Sequence, residues 1–257
     1  TDLVPVIMIS GHANVEMAVE SLKLGAYEFI TKPFATEQLL NFISRALENI
    51  KLKRENLKLE NKMFHSFDLI GESNQVQKIK KLISKLSSTD SRVLIYGPTG
   101  SGKELVARKI HKNSNRSKNP FIVLNGALLQ SDNYENELFG LENKDGSVSY
   151  GFLEKASSGT LLIDEVSEIP LDTQAKILRV LIDQKFKRIN GTKDIHVNIR
   201  IISSTSKDLK NEVAIGNFRE DLYHRLNVVP IDIPKLSSRP DDIPILIKYF
   251  QKKISEI

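Results

Sequence analysis

Gly97-Pro98-Thr99-Gly100-Ser101-Gly102-Lys103 lies between an apolar run, Val93-Leu94-Ile95-Tyr96, and a helix-like run that opens at Glu104-Leu105-Val106-Ala107. Glycines let successive backbone N–H groups turn toward one anion, a helix N-terminus adds partial positive charge, and a lysine at the loop's end reaches terminal phosphates. A glycine-rich loop alone can be a plain turn. A second element follows at Thr160-Leu161-Leu162-Ile163-Asp164-Glu165, an apolar strand ending in two carboxylates. A buried strand delivers its last residues to the carboxyl edge of a parallel sheet, where ligands bind. Asp164 is placed to hold Mg²⁺ directly or through water, and Glu165 to orient or deprotonate an attacking water. Together the two elements predict a site for a nucleoside triphosphate. Glu104 stands where the general loop pattern has Ser or Thr, so the metal relies more on Asp164 and water.

The elements that must carry this site fall into zones. Between residues 1 and about 34, Val4-Pro5-Val6-Ile7-Met8-Ile9 reads as a buried strand, Val15 to Leu24 as a helix and Tyr27-Glu28-Phe29-Ile30 as a second strand. A long helix is predicted from Thr36. Its apolar residues Leu40, Ile43, Leu47, Ile50, Leu57 and Phe64 recur in steps of three and four, with Arg54 and Asn61 as polar interruptions. That is a coiled-coil seam and predicts pairing through a linker, the alternative being a helix that packs on its own domain. From Ile70 onward strand and helix alternate. Strands are expected at Arg92–Tyr96, Phe121–Leu124, Leu161–Ile163, Ile199–Ser203 and Val228–Ile231, giving a parallel α/β sheet with helices on both faces. After Leu236 the pattern turns helical, with Asp241-Asp242-Ile243-Pro244 opening Ile245 to Ile254.

The chain has 257 residues, 40% hydrophobic and 27% charged, enough for one sizeable core and an appendage. No apolar run approaches a membrane span. The absence of cysteine excludes disulfides and thiolate metal sites and suits a reducing cytoplasm. Its five histidines, His12, His65, His111, His196 and His224, are scattered and form no metal-ligand spacing. The net charge of +5 is modest, and the basic groups Lys78, Lys80, Lys81, Lys85 and His111, Lys112, Arg116, Lys118 read as solvated helix faces rather than a nucleic-acid surface. An opening of Thr1-Asp2-Leu3-Val4-Pro5, without initiator Met or signal pattern, is expected of an internal fragment.

Residues 71 to 257 resemble the AAA+ ATPase domain of NtrC-type enhancer-binding proteins, regulators that remodel RNA polymerase carrying sigma-54. Residues 1 to 45 resemble the second half of a response-regulator receiver domain. The resemblance rests on Gly-Pro-Thr-Gly-Ser-Gly-Lys-Glu at 97–104, Glu137-Leu138-Phe139-Gly140, the Asp164-Glu165 pair and Phe218-Arg219-Glu220-Asp221-Leu222-Tyr223-His224-Arg225-Leu226. Within the family it is nearest the NtrX branch. It implies an α/β fold in which a P-loop AAA+ parallel sheet is sandwiched by helices, after a partial flavodoxin-like receiver and a linker helix. The implied divisions are 1–45 receiver, 46–68 coiled-coil-like linker, 69–235 AAA+ α/β subdomain and 236–257 the start of a helical lid. ATP is then the nucleotide, with Mg²⁺. Arg219 and Arg225 align with arginine fingers that act on a neighbouring subunit's nucleotide, Asn125 with a switch asparagine that holds Glu165, and Thr205 with a nucleotide sensor. Ser206 stands where the family commonly has Asn. In the receiver part, Ser10 aligns with the hydroxyl switch and Lys32, before Pro33, with the phosphate-contacting lysine; the phosphoacceptor Asp belongs to the half not present.

One family signature fails. The Gly-Ala-Phe-Thr-Gly-Ala loop that contacts sigma-54 should follow Glu-Leu-Phe-Gly, but the chain reads Leu141-Glu142-Asn143-Lys144-Asp145-Gly146-Ser147-Val148-Ser149-Tyr150-Gly151-Phe152. The expectation is therefore a cytoplasmic two-component regulator that binds ATP and oligomerises, as a linker dimer and an AAA+ ring, but does not activate sigma-54 transcription in the usual way. A cognate sensor histidine kinase, RNA polymerase, and DNA through a domain beyond Ile257 are the further partners implied. A nucleotide-stabilised oligomerisation module with little turnover is the second reading. An unrelated P-loop enzyme such as a small-molecule kinase is the third, disfavoured because no second substrate motif accompanies the loop.

Overall fold

The structure, a computed structural model, describes residues 4–11, 15–65, 68–128, 134–143 and 146–255, with the backbone alone for 15–16, 23 and 52–65. His12, Lys144, Asp145, Ile257 and the side chains of Arg54, Leu57, Asn61, Phe64 and His65 therefore lie outside the described residues. The chain divides into two compact units, Thr1–Ser66 and Phe67–Ile257.

In the first unit β1 (Ile7–Ser10) and β2 (Glu28–Thr31) pair in parallel around α1 (Val15–Lys23), in register from Ile7↔Glu28 to Ser10↔Thr31. The backbone N–H of Lys32 donates to the Ser10 carbonyl at 2.8 Å, so the two predicted phosphate-signalling residues sit at adjacent strand ends. The strand expected to be buried is not: Met8 and Ile9 are each 43% exposed. A two-stranded sheet with one described crossover helix cannot cover both of its faces. α2 (Thr36–His65) is one uninterrupted helix, so the expected boundary at residue 45 falls inside it. Along its seam Leu40, Ile43 and Leu47 are exposed, whereas Ala46 is buried.

The second unit follows a strand–helix alternation: α3 (Asn74–Ser87), β3 (Val93–Tyr96), α4 (Lys103–Lys112), β4 (Phe121–Asn125), α5 (Tyr134–Phe139), β5 (Leu141–Glu142), β6 (Val148–Ser149), α6 (Phe152–Lys155), β7 (Thr160–Asp164), α7 (Leu171–Asp183), β8 (Lys185–Phe186), β9 (Ile195–His196), β10 (Arg200–Thr205), α8 (Leu209–Ala214), α9 (Glu220–Leu226), β11 (Val229–Asp232) and α10 (Ile243–Ser255). Among the described residues β11, β3, β10, β7 and β4 form one all-parallel sheet in that spatial order. Each strand was expected within two residues of where it lies. Side chains alternate between its faces. Leu94, Leu161, Ile163 and Ile201 enter one core with α5, α7 and α9, while Val93, Ile95, Leu162, Ile202 and Ile231 enter the other with α3 and α4. These strands therefore read as continuous apolar runs. Each fully buried Leu or Ile contributes about 1.5–3 kcal/mol. β3 and β7 stay level with β10 between them, Val93 and Leu162 both opposite Ile202, which brings the loop after β3 and the carboxylates after β7 to the same sheet edge.

Candidate functional site

The loop after β3 is shaped by close approach and by left-handed backbone. A Cβ on Gly97 would fall 2.7 Å from the Ser101 hydroxyl and 3.0 Å from the Ile233 carbonyl, so only glycine fits. Gly100 and Gly102 adopt φ of +76° and +102°, with open space where their side chains would be. The Ser101 hydroxyl is buried and has no hydrogen-bond partner among the described residues. Lys103, at the start of α4, is 6% exposed, and its ammonium donates to the carbonyls of Gly97 at 3.0 Å and Pro98 at 3.5 Å. It also pairs with Glu165 Oε1 at 2.8 Å. Glu104 turns the other way and pairs with Arg108 at 2.6 Å, one helical turn on.

Asp164 ends β7 directly opposite Asn125 on β4. Its Oδ1 accepts from the Ser204 hydroxyl at 2.5 Å and its Oδ2 from the Asn125 amide at 3.4 Å. Glu165 then turns into the left-handed region at φ 51°, ψ 55°. Gly126 makes this possible: its N–H donates to the Asp164 carbonyl at 2.7 Å, and a Cβ there would lie 2.5 Å from the Glu165 carbonyl. Glu165 Oε2 accepts from both the N–H and the hydroxyl of Ser206, each at 2.8 Å. Burial works against the charge of Glu165, but the Lys103 ammonium and the two Ser206 donors outweigh it and hold the carboxyl below its ordinary value.

Several expected residues are not brought together in this way. Among the described residues the Asn125 amide donates to Asp164 rather than to Glu165; strand pairing sets the two opposite each other, and the left-handed turn carries Glu165 away. Thr205 meets the nucleotide loop through its backbone, its carbonyl accepting from the Gly97 N–H at 3.2 Å, but its hydroxyl turns elsewhere. It is fully buried and its hydroxyl lies 3.2 Å from that of Ser167, because strand alternation points Ser204 and Ser206 at the carboxylates and Thr205 to the opposite face. Arg219, at the N-cap of α9, makes a two-point pair with Asp221 at 2.8 and 3.1 Å. Arg225 is exposed, its carbonyl accepting from Arg92 at 3.0 Å. Among the described residues neither arginine bonds to Lys103, Asp164 or Glu165. No group of three or more His, Asp or Glu side chains gathers as a metal site among the described residues.

Arg239, not singled out from sequence, also touches the site, and Asp242 anchors the same segment. Arg239, 7% exposed, donates to the Ser101 carbonyl at 3.4 Å and lies 3.8 Å from Asp242. Asp242 is fully buried and accepts from the N–H groups of Glu72 and Ser73 at 2.7 and 2.8 Å and from the Ser73 hydroxyl at 2.7 Å. The segment after β11 is thereby tied to both the loop and the start of α3. The Asp241-Asp242-Ile243-Pro244 run reads from sequence only as a helix start.

Residues 69–232 match the sigma-54 interaction domain family, and residues 1–44 the response regulator receiver domain. The chain is 46% identical over 254 residues to the nitrogen assimilation regulatory protein NtrX of Azorhizobium caulinodans, covering 98% of this chain and 56% of that relative. Among solved structures, NtrX from Brucella abortus superposes with a TM-score of 0.82 at 47% identity, over 99% of this chain and 57% of that one. The same Brucella protein in complex with ATP gives 0.76 at 47% identity, over 99% and 58%. The chain thus spans about half the length of the relatives it matches. It belongs to the sigma-54 interaction domain family, among the NtrC-type response regulators that include NtrX.

Proposed function

We propose that the second unit binds and hydrolyses ATP and couples that cycle, through self-assembly, to control of transcription. The observation that carries the reading is the meeting of Lys103 and Glu165 at 2.8 Å beside an open glycine loop. The loop fits a polyphosphate: Ser101 offers a buried hydroxyl with no described partner, and Gly100 and Gly102 leave their side-chain space clear. Lys103 would hold the terminal phosphates and Glu165 would orient and deprotonate the attacking water. Asp164 fits a Mg²⁺ site, since an ionised carboxylate has lone pairs to spare beyond the Ser204 and Asn125 contacts. Bound there, Mg²⁺ would neutralise charge on the phosphates. Arg219 and Arg225 would act on the nucleotide of a neighbouring subunit, Arg219 first releasing Asp221.

The reading includes a restriction on output. Leu141–Glu142 pairs antiparallel with Val148–Ser149, and Asn143 closes onto Ser147 through its backbone N–H and its amide, both at 2.9 Å. A hairpin closed so early supports a regulator that does not engage sigma-54 through a projecting Gly-Ala-Phe-Thr-Gly-Ala loop. Receiver membership supports a cognate sensor kinase and a cytoplasmic setting. DNA contact would come from sequence outside this chain.

ATP binding and hydrolysis by the wild type and by Lys103→Ala test the first part. The variant should bind ATP tenfold to a hundredfold more weakly, about the loss expected for a charge-assisted contact. Transcription from a sigma-54 promoter tests the second, and ATP-dependent promoter opening would overturn it. The engagement of Glu165 by Lys103 also supports the alternative, an assembly module that binds nucleotide with little turnover. Binding without hydrolysis would select it.

A further inference from the structure

In its 14 residues α3 carries Lys78, Lys80, Lys81 and Lys85 and no acid. Lys80 is used within the fold, its ammonium donating to the Gly71 carbonyl at 2.8 Å. Lys78, Lys81 and Lys85 are exposed along one side of the helix, and none of them pairs with a carboxylate among the described residues. From sequence alone such a row is a solvated face. In the fold it borders a groove of about 430 Å³, lined by Ile79 and Leu82 of α3 on one side and by Pro230, Ile231 and Pro234 on the other. Lys78 itself lines the groove, and Asp232 is the single acid among its lining residues. An apolar trough beside unpaired cations matches a segment that is apolar on one face and acidic next to it.

The edge of the sheet decides what form that segment takes. β11 is an edge strand, paired only with β3 among the described residues. The Ile233 N–H just beyond it donates inward to the Tyr96 carbonyl at 2.8 Å. Backbone amides alternate sides along a strand, so position 230 is turned outward, and it is a proline with no N–H to give. A partner adding a strand would lose a ladder bond there, whereas a helix laid in the groove needs none. We propose that the groove between α3 and β11 is a docking surface for an amphipathic helix of a partner protein, its apolar face in the groove and its acidic flank against Lys78, Lys81 and Lys85. The surface uses none of Lys103, Asp164 and Glu165, so it stands whether or not the protein hydrolyses ATP.

The test uses the protein at its natural length and a fluorescein-labelled helical peptide with leucines along one face and glutamates beside them, read by fluorescence anisotropy. The peptide should bind with a Kd on the order of 10 μM. Lys81→Glu combined with Lys85→Glu, both at exposed positions, should weaken it about tenfold, the size expected when surface ion pairs are lost and turned to repulsion. A peptide with lysines in place of the glutamates should reverse the order and prefer that variant, which also shows that the variant is folded. Serines in place of the leucines should abolish binding to both proteins. No binding at about 1 mM peptide, or equal binding by wild type and double variant, overturns the proposal. So does a scrambled peptide of the same composition, or a duplex oligonucleotide, that binds as tightly and is lost in the same variant, since the lysines would then form a plain polyanion surface.

Discussion

Arg188 and Glu154 form a two-point ion pair, Nε to Oε1 at 2.8 Å and Nη2 to Oε2 at 2.6 Å, in a setting where their side chains are only 15% and 12% exposed. Arg188 also lies over the Tyr150 ring at 5.4 Å. The pair joins α6 to the Arg188–Gly191 turn, and the next residue, Ile189, exchanges backbone hydrogen bonds with Gly140 and Glu142. Two segments far apart in sequence, the β5–β6 hairpin and the β8–β9 hairpin, are thus fixed to each other.

Breaking that pair should loosen both hairpins together. Glu154→Ala strands a guanidinium that is mostly shielded from water, so a loss of about 2–4 kcal/mol is expected in urea unfolding. Arg188→Ala should cost a similar amount, and the double variant less than the sum. Additive losses would show that the two groups stabilise the fold independently.

The arginines near residue 220 call for a different measurement. The hydrogen bond from Arg219 holds Asp221 below its ordinary carboxylate value, so Arg219 is engaged at home rather than presented. Arg225 is exposed beside Arg92, where burial and then the Arg225 charge hold Arg92 below its ordinary value. Arg225→Ala should lower ATP turnover by about 10³ or more while changing nucleotide affinity little. If the group serves a neighbour, mixing Arg225→Ala with Lys103→Ala protein should recover activity, because one subunit supplies the nucleotide site and the other the arginine. No recovery on mixing would place Arg225 outside the neighbour's site.

How far the site could be read beforehand depended on whether a residue's role is local. The loop at 97–103 and the Asp164-Glu165 pair were legible because glycine spacing and an apolar strand ending in acids are local patterns. The sheet was legible because β3, β7 and β10 are buried on both faces and so read as apolar runs. Asn125 and Thr205 were assigned by resemblance, yet their partners depend on which residue lies across a strand and on which face a side chain leaves. Applying strand alternation to β10 would have added Ser204 to the sensor pair Thr205 and Ser206. Asp242 and Arg239 had no local signal, since their partners Ser73 and Ser101 lie more than a hundred residues away in sequence.

Asp242 should be the most sensitive acid to substitution. Burial opposes its charge, but the Ser73 hydroxyl and the N–H groups of Ser73 and Glu72 outweigh burial and keep its carboxyl below the ordinary value. Asp242→Ala leaves those donors unpaired and takes the carboxylate away from Arg239 in the interior, a loss of about 3–5 kcal/mol. Asp242→Asn keeps the shape and one acceptor and should cost less. Because Arg239 also touches the Ser101 carbonyl, nucleotide affinity should fall in step with stability across the two variants. Stability lost with affinity untouched would separate this anchor from the loop.

His111 makes stability depend on pH in a defined window. It is buried with its Nδ1 2.9 Å from the Thr160 hydroxyl and its ring 5.1 Å from that of Phe121. Burial pushes its pKa down to about 4, a contact with the Asn119 backbone pulls the other way, and the charges of Arg200 and Arg108 add to the lowering. The unfolded chain takes up a proton near pH 6.5, whereas the folded protein keeps this imidazole neutral until about pH 4. The unfolded state therefore binds more protons between those values, and stability must fall as pH drops through them, by at most about 1.4 kcal/mol per pH unit from this one group. Above pH 6.5 the contribution is level. His111→Gln removes the titration, so thermal unfolding measured from pH 7.5 to 4.5 should show a steeper decline in the wild type than in the variant. Parallel curves would mean that the buried imidazole is protonated as readily in the folded protein as in the unfolded chain.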